Sequence, residues 1–250
     1  LKPTISVITN IELEHMDCYD DADDLHNSFA QFANSVPFYG AVVVCLDSPG
    51  VQDIIPNIKR PVVTYGFSSQ ADIGAKNVKS NETETTYTLY QNNQKCGKVT
   101  LQVPGKHNVL NSLAAAAIGF EMGLDVKTII SGLGTYEGVR RRFEIKGIAR
   151  DIMVVDDYAH HPTEVSATLQ AVRDGWKRRI IAVFQPHLYS RTKDFYKDFS
   201  RALMKSDVNI LLPIYPAREK PIKNISSSLI KEQLDIGKHP KTYSCTDKNL

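Results

Sequence analysis

Apolar and polar positions follow two rhythms along this chain, and the change between them falls near its middle. Residues 4–11, TISVITNI, form a β-branched apolar run that predicts a buried strand. A polar stretch follows, then helical periodicity from about Asp24 to Ser35. AVVVCLD (41–47) predicts a second buried strand, closed by the turn chemistry of Ser48-Pro49-Gly50, and VVTYGF (62–67) a third. Within 85–103, TTYTLYQ and KVTLQV alternate at period two on either side of Asn92-Asn93-Gln94-Lys95, the pattern of a hairpin. Residues 108–122 form an Ala-rich helix with Gly123 just past its end, and 125–132 a shorter helical stretch. A domain boundary is expected at about Glu137–Gly138.

Beyond it the rhythm is strand, helix, strand. Apolar runs at 152–157, 178–184, 208–214 and 242–245 predict strands. Helical patterns at 161–176, 194–206 and 227–234 separate them, the first opened by Pro162 in its first turn. Such alternation predicts a parallel sheet with right-handed crossovers. The expected fold class is α/β, with domains at 1–137 and 138–250, the second Rossmann-like and mostly parallel.

Length and composition narrow the function classes. The 250 residues suit two domains of ordinary size. Hydrophobic residues at 42% and charged residues at 23% are those of a globular protein. A formal charge of +2 supplies no field for nucleic acid or a membrane surface. No apolar run approaches the roughly 20 residues that span a bilayer, and Leu1-Lys2-Pro3 leads into a strand rather than a secretory signal. Cys18, Cys45, Cys96 and Cys245 stand far apart, with no metal-site or redox spacing. A reduced, cytoplasmic setting is expected.

In open α/β sheets ligands bind beyond the carboxyl ends of the strands. Three strands of the second half end there in polar clusters: Asp156, Asp157, Tyr158, His160 and His161; Gln185, His187, Tyr189 and Arg191; Tyr215, Arg218, Glu219 and Lys220. Any one alone reads as a solvated loop; three at one sheet edge predict a site. The adjacent His160 and His161 stand where they would cap a helix or bind a metal, though no further ligand lies at zinc spacing. Asp156 and Asp157 suit magnesium, a ribose hydroxyl or simply a strand end.

The first half adds two constellations. Glu12, Glu14, His15 and Asp17 follow the first strand, and hard oxygens with one imidazole suit a magnesium ion on nucleotide phosphates; an acidic, solvated loop has the same pattern. His107, Asn108 and Asn111 open a helix after Pro104-Gly105. An asparagine there is an ordinary N-cap, and its amide also matches the N6/N7 edge of adenine. Arg140, Arg141 and Arg142 sit at the expected boundary, where an arginine could reach phosphates as domains close.

With these residues in view, the chain resembles the Mur ligases. The matching stretches are TNIELEHMDCY (9–19), PFYG (37–40), PGKHNVLNSLAA (104–115), GVRRRFEIKG (138–147), DDYAHHPTEV (156–165), FQPHLYSRTKDF (184–195) and IYPAREKPI (214–222). They run in family order across nearly the whole chain. The resemblance is closest to the members that join L-alanine to UDP-N-acetylmuramate in peptidoglycan precursor synthesis. It implies that ATP phosphorylates the lactyl carboxylate and that the alanine amine attacks the acyl phosphate. ADP and phosphate are released, with Mg2+ and basic side chains carrying the charge.

By the same resemblance His15 is the magnesium-binding histidine, and His107, Asn108 and Asn111 form the adenine-contacting segment. Arg142, Asp157 and Tyr158 are the nucleotide contacts of the C-terminal domain. His160, His187 and Arg191 lie near the reacting carboxylate and amino acid. Two positions depart from the pattern: Leu188 stands where many relatives carry arginine, and Glu14 where they carry aspartate.

The family's phosphate loop, G-x-x-G-K-[ST], does not occur in these 250 residues, nor do its UDP-binding domain and last carboxylate-bearing stretch. The expectation is that the chain purified alone forms no product. Three alternatives remain: a sister ligase that attaches a recycled tripeptide, whose C-terminal domain lacks the QPH-x-Y-x-R pattern of Gln185–Arg191; a folylpolyglutamate synthetase, which DDYAHHP does not suit; and a truncated, non-catalytic nucleotide-binding module.

Overall fold

β-branched runs with no polar face pair into a sheet covered on both sides, and the first third of the chain is built this way. Strands β1 (Ile5–Ile8), β2 (Ala41–Cys45) and β3 (Val62–Gly66) are parallel, with Ile5 opposite Ala41 and Val42 opposite Val62. The computed structural model describes residues 2–13, 18–237 and 240–245. These fall into two units, Leu1–Glu137 and Gly138–Leu250.

Along β2 every residue is buried, and alternation sorts the side chains between two cores. Val42 and Val44 pack with Ile8 and with helices α1 (Ala22–Asn34) and α2 (Pro49–Ile54), through Leu25, Ala30, Ala33, Val51 and Ile54. Val43 and Cys45 face the other way, onto Tyr65 and helix α3 (Lys106–Glu121). A fully buried aliphatic side chain contributes about 1.5–3 kcal/mol, so β2 anchors both layers. Asp21 caps α1 by accepting from the Asp24 N–H at 2.8 Å.

The sheet runs on through β4 (Ile73–Asn81), β5 (Glu84–Gln91) and β6 (Gln94–Leu101), each beside its chain neighbour, with β4–β5 and β5–β6 antiparallel. The expected hairpin is β5–β6, and its turn is tighter than the four polar residues suggested. Asn92 and Asn93 alone form it, at φ 48° and 63°, as a two-residue primed turn requires. β4 has no counterpart in the expected elements. Its sequence IGAKNVKSN buries only Ile73 and Ala75, and a register shift between Lys76 and Lys79 breaks its alternation.

α3 closes this core, and Tyr87 of β5 reaches it through a buried hydrogen bond between its hydroxyl and Ser112 Oγ, 2.7 Å. Burial pushes the Tyr87 phenol up to about 12 although the Ser112 bond opposes the shift, so it stays protonated. Tyr87→Phe is expected to cost about 1 kcal/mol, since Ser112 keeps its bond to the Val109 carbonyl. A chemical melt of the variant measures this. Helix α4 (Val126–Gly134), capped by Asp125, lies against the same core through Ile129.

The second unit departs from the single parallel sheet that its rhythm predicts. β8 (Ile152–Asp156) pairs with a strand the pattern did not predict, β7 (Glu144–Ala149), and the two form a separate antiparallel hairpin. The turn explains it: Arg150 and Asp151 sit at φ 48° and 60°, closing a two-residue hairpin at little entropic cost. The parallel sheet is β9 (Ile181–Phe184), β10 (Val208–Leu211) and β11 (Lys241–Ser244), in the order β11-β10-β9.

Helices α5 (Pro162–Gly175), α6 (Tyr189–Leu203) and α7 (Ser228–Ile236) share one core with this sheet: Val165 and Leu169, Phe199 and Leu203, Ile230 and Leu234, against Phe184 and Leu211. α5 also shares a small core with β8, where Met153, Val155 and Val172 pack against Phe143, Ala171 and Trp176. α6 begins five residues before the expected helix, which puts Tyr189 and Arg191 in its first turn rather than in a loop. Among the described residues, no helix is long and apolar enough to cross a membrane.

Candidate functional site

In the first unit the chemistry gathers at the start of α3. Gly105 stands at φ 96°, a backbone that side-chain-bearing residues rarely adopt, and this lets the chain turn directly into the helix. Its carbonyl accepts the N–H of Asn108 and Val109. Asn108 Nδ2 donates to the Pro104 carbonyl at 2.7 Å, so this amide locks the turn. Asn111, one turn later and exposed, approaches Asn108 Oδ1 at 3.5 Å. Its own carbonyl oxygen and second N–H suit an amide-like ligand edge such as adenine's. His107 is half-buried beside them. Asn108 is therefore committed to the turn, while Asn111 keeps an exposed amide.

The expected magnesium ligand, His15, lies outside the described residues, as do Glu14 and Asp17. Glu12 is half-buried and accepts a hydrogen bond from Asn10 Nδ2 at 3.1 Å. Among the described residues, no group of three or more His, Cys, Asp or Glu side chains is arranged to hold a metal ion.

In the second unit the β8 terminus and the start of α5 form one hydrogen-bonded assembly. Asp157 accepts from the Phe143 N–H (3.1 Å), the Ala159 N–H (2.9 Å) and Thr168 Oγ1 (2.9 Å). It is a fixed junction for the loop that carries Tyr158 and His160. Asp156 instead lies 3.7 Å from Arg141, whose guanidinium sits over the Tyr158 ring at 4.5 Å. Of the three arginines, Arg141 thus orients Tyr158, while Arg142 donates to Glu164 at 3.1 Å.

Glu164 organises the histidine pair. Its carboxylate accepts the N–H of His160 (2.9 Å) and of His161 (3.2 Å), the return arm of a capping box on α5. Burial pushes its carboxyl up, but those two N–H groups and Arg142 outweigh it and hold the group below its ordinary range. The spacing from His161 to Glu164 carries this signal in the sequence. The residue belongs to the site although the motif reading assigned it no role.

Where β9 and β10 end, the chain brings the other two clusters together. His187 forms a parallel bridge with Tyr215, and their rings stack at 5.5 Å. The His160 ring lies 6.3 Å from His187. All three expected clusters therefore meet, two through the parallel sheet and one through the loop before α5. Arg191 is buried in the first turn of α6. Burial lowers the His187 pKa, Arg191 and His160 lower it further, and Glu219 opposes them. Its Nδ1 is buried without a hydrogen-bond partner, the kind of atom a bound ligand satisfies.

Glu219 holds this second half in place from 30 residues away. α6 has no side-chain cap of its own, since Leu188 before it carries no polar side chain. Glu219 supplies the cap, accepting from the Tyr189 N–H, from the Ser190 N–H at 3.0 Å and from Ser190 Oγ. No local pattern announces such a cap, because donor and acceptor meet only in the folded unit.

Two α/β units, each carrying polar residues at strand ends and helix starts, define the class: a modular α/β protein. Residues 1–119 match the model of the Mur ligase middle domain, and residues 141–249 that of the Mur ligase, glutamate ligase domain. The chain belongs to the Mur ligase family and carries its middle and C-terminal domains. A UDP-N-acetylmuramate–L-alanine ligase of Geotalea uraniireducens is 46% identical over 250 residues, all of this chain and 54% of that protein. The ligase of the same name in Desulfatibacillum aliphaticivorans is 47% identical over 249 residues, 55% of its length. The chain thus spans about half the length of the curated relatives it matches.

The crystal structure of UDP-N-acetylmuramate–alanine ligase from Thermotoga maritima superposes with a TM-score of 0.78 at 24% identity, over 98% of this chain and 52% of that one. A MurF structure from Acinetobacter baumannii reaches the same TM-score at 19% identity, over 97% and 50%. The fold is common to ligases of different names and does not select among them.

Proposed function

We propose that the chain is the middle and C-terminal part of a cytoplasmic, ATP- and Mg2+-dependent ligase. The ligase joins L-alanine to the lactyl carboxylate of UDP-N-acetylmuramate through an acyl phosphate, in peptidoglycan precursor synthesis. The observation that carries this reading is the 46% identity, sustained over the whole chain, to a relative of that name. In this reading Asn111 and His107 contact adenine, with Asn108 holding the turn, and His15 holds the metal. Arg142 and Tyr158 face the nucleotide, supported by Asp157. His160, His187 and Arg191 receive the reacting carboxylate and amine.

The chemistry of the second-unit cluster suits that task. A neutral imidazole at His187 accepts a proton from an incoming ammonium, and its depressed pKa keeps it neutral at physiological pH. A buried guanidinium at Arg191 offsets the charge that develops on phosphate and carboxylate oxygens.

The test is ADP release with Mg-ATP and UDP-N-acetylmuramate, offering L-alanine or the tripeptide. It is run on this chain and on the product of the complete reading frame. Alanine-dependent release from the complete product, and none from these 250 residues alone, is the expected result. Preference for the tripeptide, or no amino-acid dependence in the complete product, overturns the proposal.

A further inference from the structure

A cationic cluster of the second unit has no part in the site described above. It lies at the opposite end of α5, where the helix gives way to the loop before β9. A concavity of about 590 Å³ there is lined by Arg173, Trp176, Lys177, Arg178, Arg179 and Asp207. α5 has 14 residues, and at 1.5 Å per residue about 21 Å separates this concavity from the Glu164 end.

Four cations against one carboxylate need an explanation. The negative end of α5 favours a cation or two in its last turn, but Lys177, Arg178 and Arg179 follow the helix and surround the same hollow. Asp207 is already engaged: it pairs with Arg173 at 2.7 Å and accepts the Ile180 N–H at 2.7 Å. The net charge of the lining is +3, four cations less one carboxylate.

Two of the arginines are fixed before any ligand arrives. Arg173 Nε donates to the Lys205 carbonyl at 2.7 Å, and Arg178 Nη1 to the Asp151 carbonyl at 2.6 Å. Asp207 neutralises Arg173, but the Asp151 carbonyl holds Arg178 in place without neutralising it, so the remaining N–H groups of Arg178 are preorganised for an anion. Trp176 forms the apolar wall, buried and stacked on Phe143 at 5.3 Å. A fixed fork at Arg178, the flanking Lys177 and Arg179 and an aromatic wall line this open hollow, and planar guanidinium forks match phosphoryl oxygens.

We propose that this pocket is a second, non-catalytic site that binds a phosphoryl-bearing small molecule. Inorganic pyrophosphate and the diphosphate of a nucleotide share that chemistry. The pocket belongs to the second unit alone and is independent of the ligase reading.

The chain has a single tryptophan, and it is in the pocket wall, so intrinsic fluorescence reports occupancy. The full 250-residue chain is titrated separately with pyrophosphate and with UDP at constant ionic strength, with chloride as control. A saturable emission change with at least one probe is expected. A double variant, Arg178→Ser with Arg179→Ser, should weaken it about tenfold or more without moving the thermal midpoint by more than a degree or two. Conversely, H187A should leave it unchanged. Tighter binding of UDP assigns the pocket to nucleotides; equal or tighter binding of pyrophosphate assigns it to free phosphates. The proposal is overturned by a non-saturable change matching chloride, or by one that survives the double variant. If the double variant is unfolded, K177A and charge reversal R179E take its place, with the same expected weakening and the same overturning result.

Discussion

Glu219→Ala is expected to lower the stability of the second unit by about 2–4 kcal/mol, because it removes a charged acceptor from three donors at once. The Tyr189 and Ser190 N–H groups at the start of α6 lose their partner. Leu188, at φ 70°, has no side-chain bond with which to replace it. The chemistry should respond as well. Glu219 opposes the effects that lower the His187 pKa, so its loss moves the histidine further below 6.5, whereas Arg191→Ala moves it up. Side-chain NMR of His187 in the two variants reads these opposite shifts. In the complete ligase, loosening the turn that carries His187 and Arg191 is expected to cut turnover about a hundredfold. A melting curve and a His187 titration both unchanged in E219A would remove Glu219 from the site.

The second large effect is expected at Glu164. Its carboxylate joins the two histidine N–H groups to Arg142 and closes the start of α5. E164A should cost about 2–3 kcal/mol: roughly 1 kcal/mol for each orphaned N–H and less than that for the partly exposed Arg142 pair. The pH dependence has a definite sign. Burial raises the Glu164 carboxyl, but its hydrogen bonds and Arg142 outweigh burial and hold it below the ordinary 4.5. A carboxyl lowered on folding stabilises above its unfolded value and loses that contribution as pH falls through its folded value. The wild-type advantage over E164A should therefore shrink as pH falls below the ordinary 4.5. Denaturant melts of both proteins at several pH values measure it, and an advantage that grows on acidification would contradict it.

These two carboxylates differ in how far a sequence discloses them. Glu164 stands three residues after His161, the spacing of a capping box, so its bond is local and the pattern carries it. Glu219 caps a helix 30 residues away, and no periodicity records that encounter. For the same reason the start of α6 reads five residues late. A helix whose cap arrives from another loop shows none of the residues that ordinarily mark its beginning. β4 and β7 escape a period-two reading for a related cause. Each contains a register shift, and neither buries an unbroken alternate face, so pairing with a neighbour rather than pattern makes them strands.

What the sequence determined by itself is everything that rests on local physics. Continuous β-branched runs specified β1, β2 and β3. Ala-rich periodicity with Gly123 specified α3, and the alternation across Asn92-Asn93 specified the β5–β6 hairpin. The order of motifs from TNIELEH to YPAREKP specified the family. The tertiary structure decided which of the polar residues work together. It drew β8 out of the parallel sheet into a hairpin closed by Arg150-Asp151, yet brought its His160 to within 6.3 Å of His187. It also spent Asp157 and Asn108 on holding loops in place and supplied α6 with a cap from Glu219. Hydrophobic patterning and turn chemistry act between near neighbours and can be read along a chain. Hydrogen bonds between distant loops depend on where packing leaves their ends, and only the folded unit sets that.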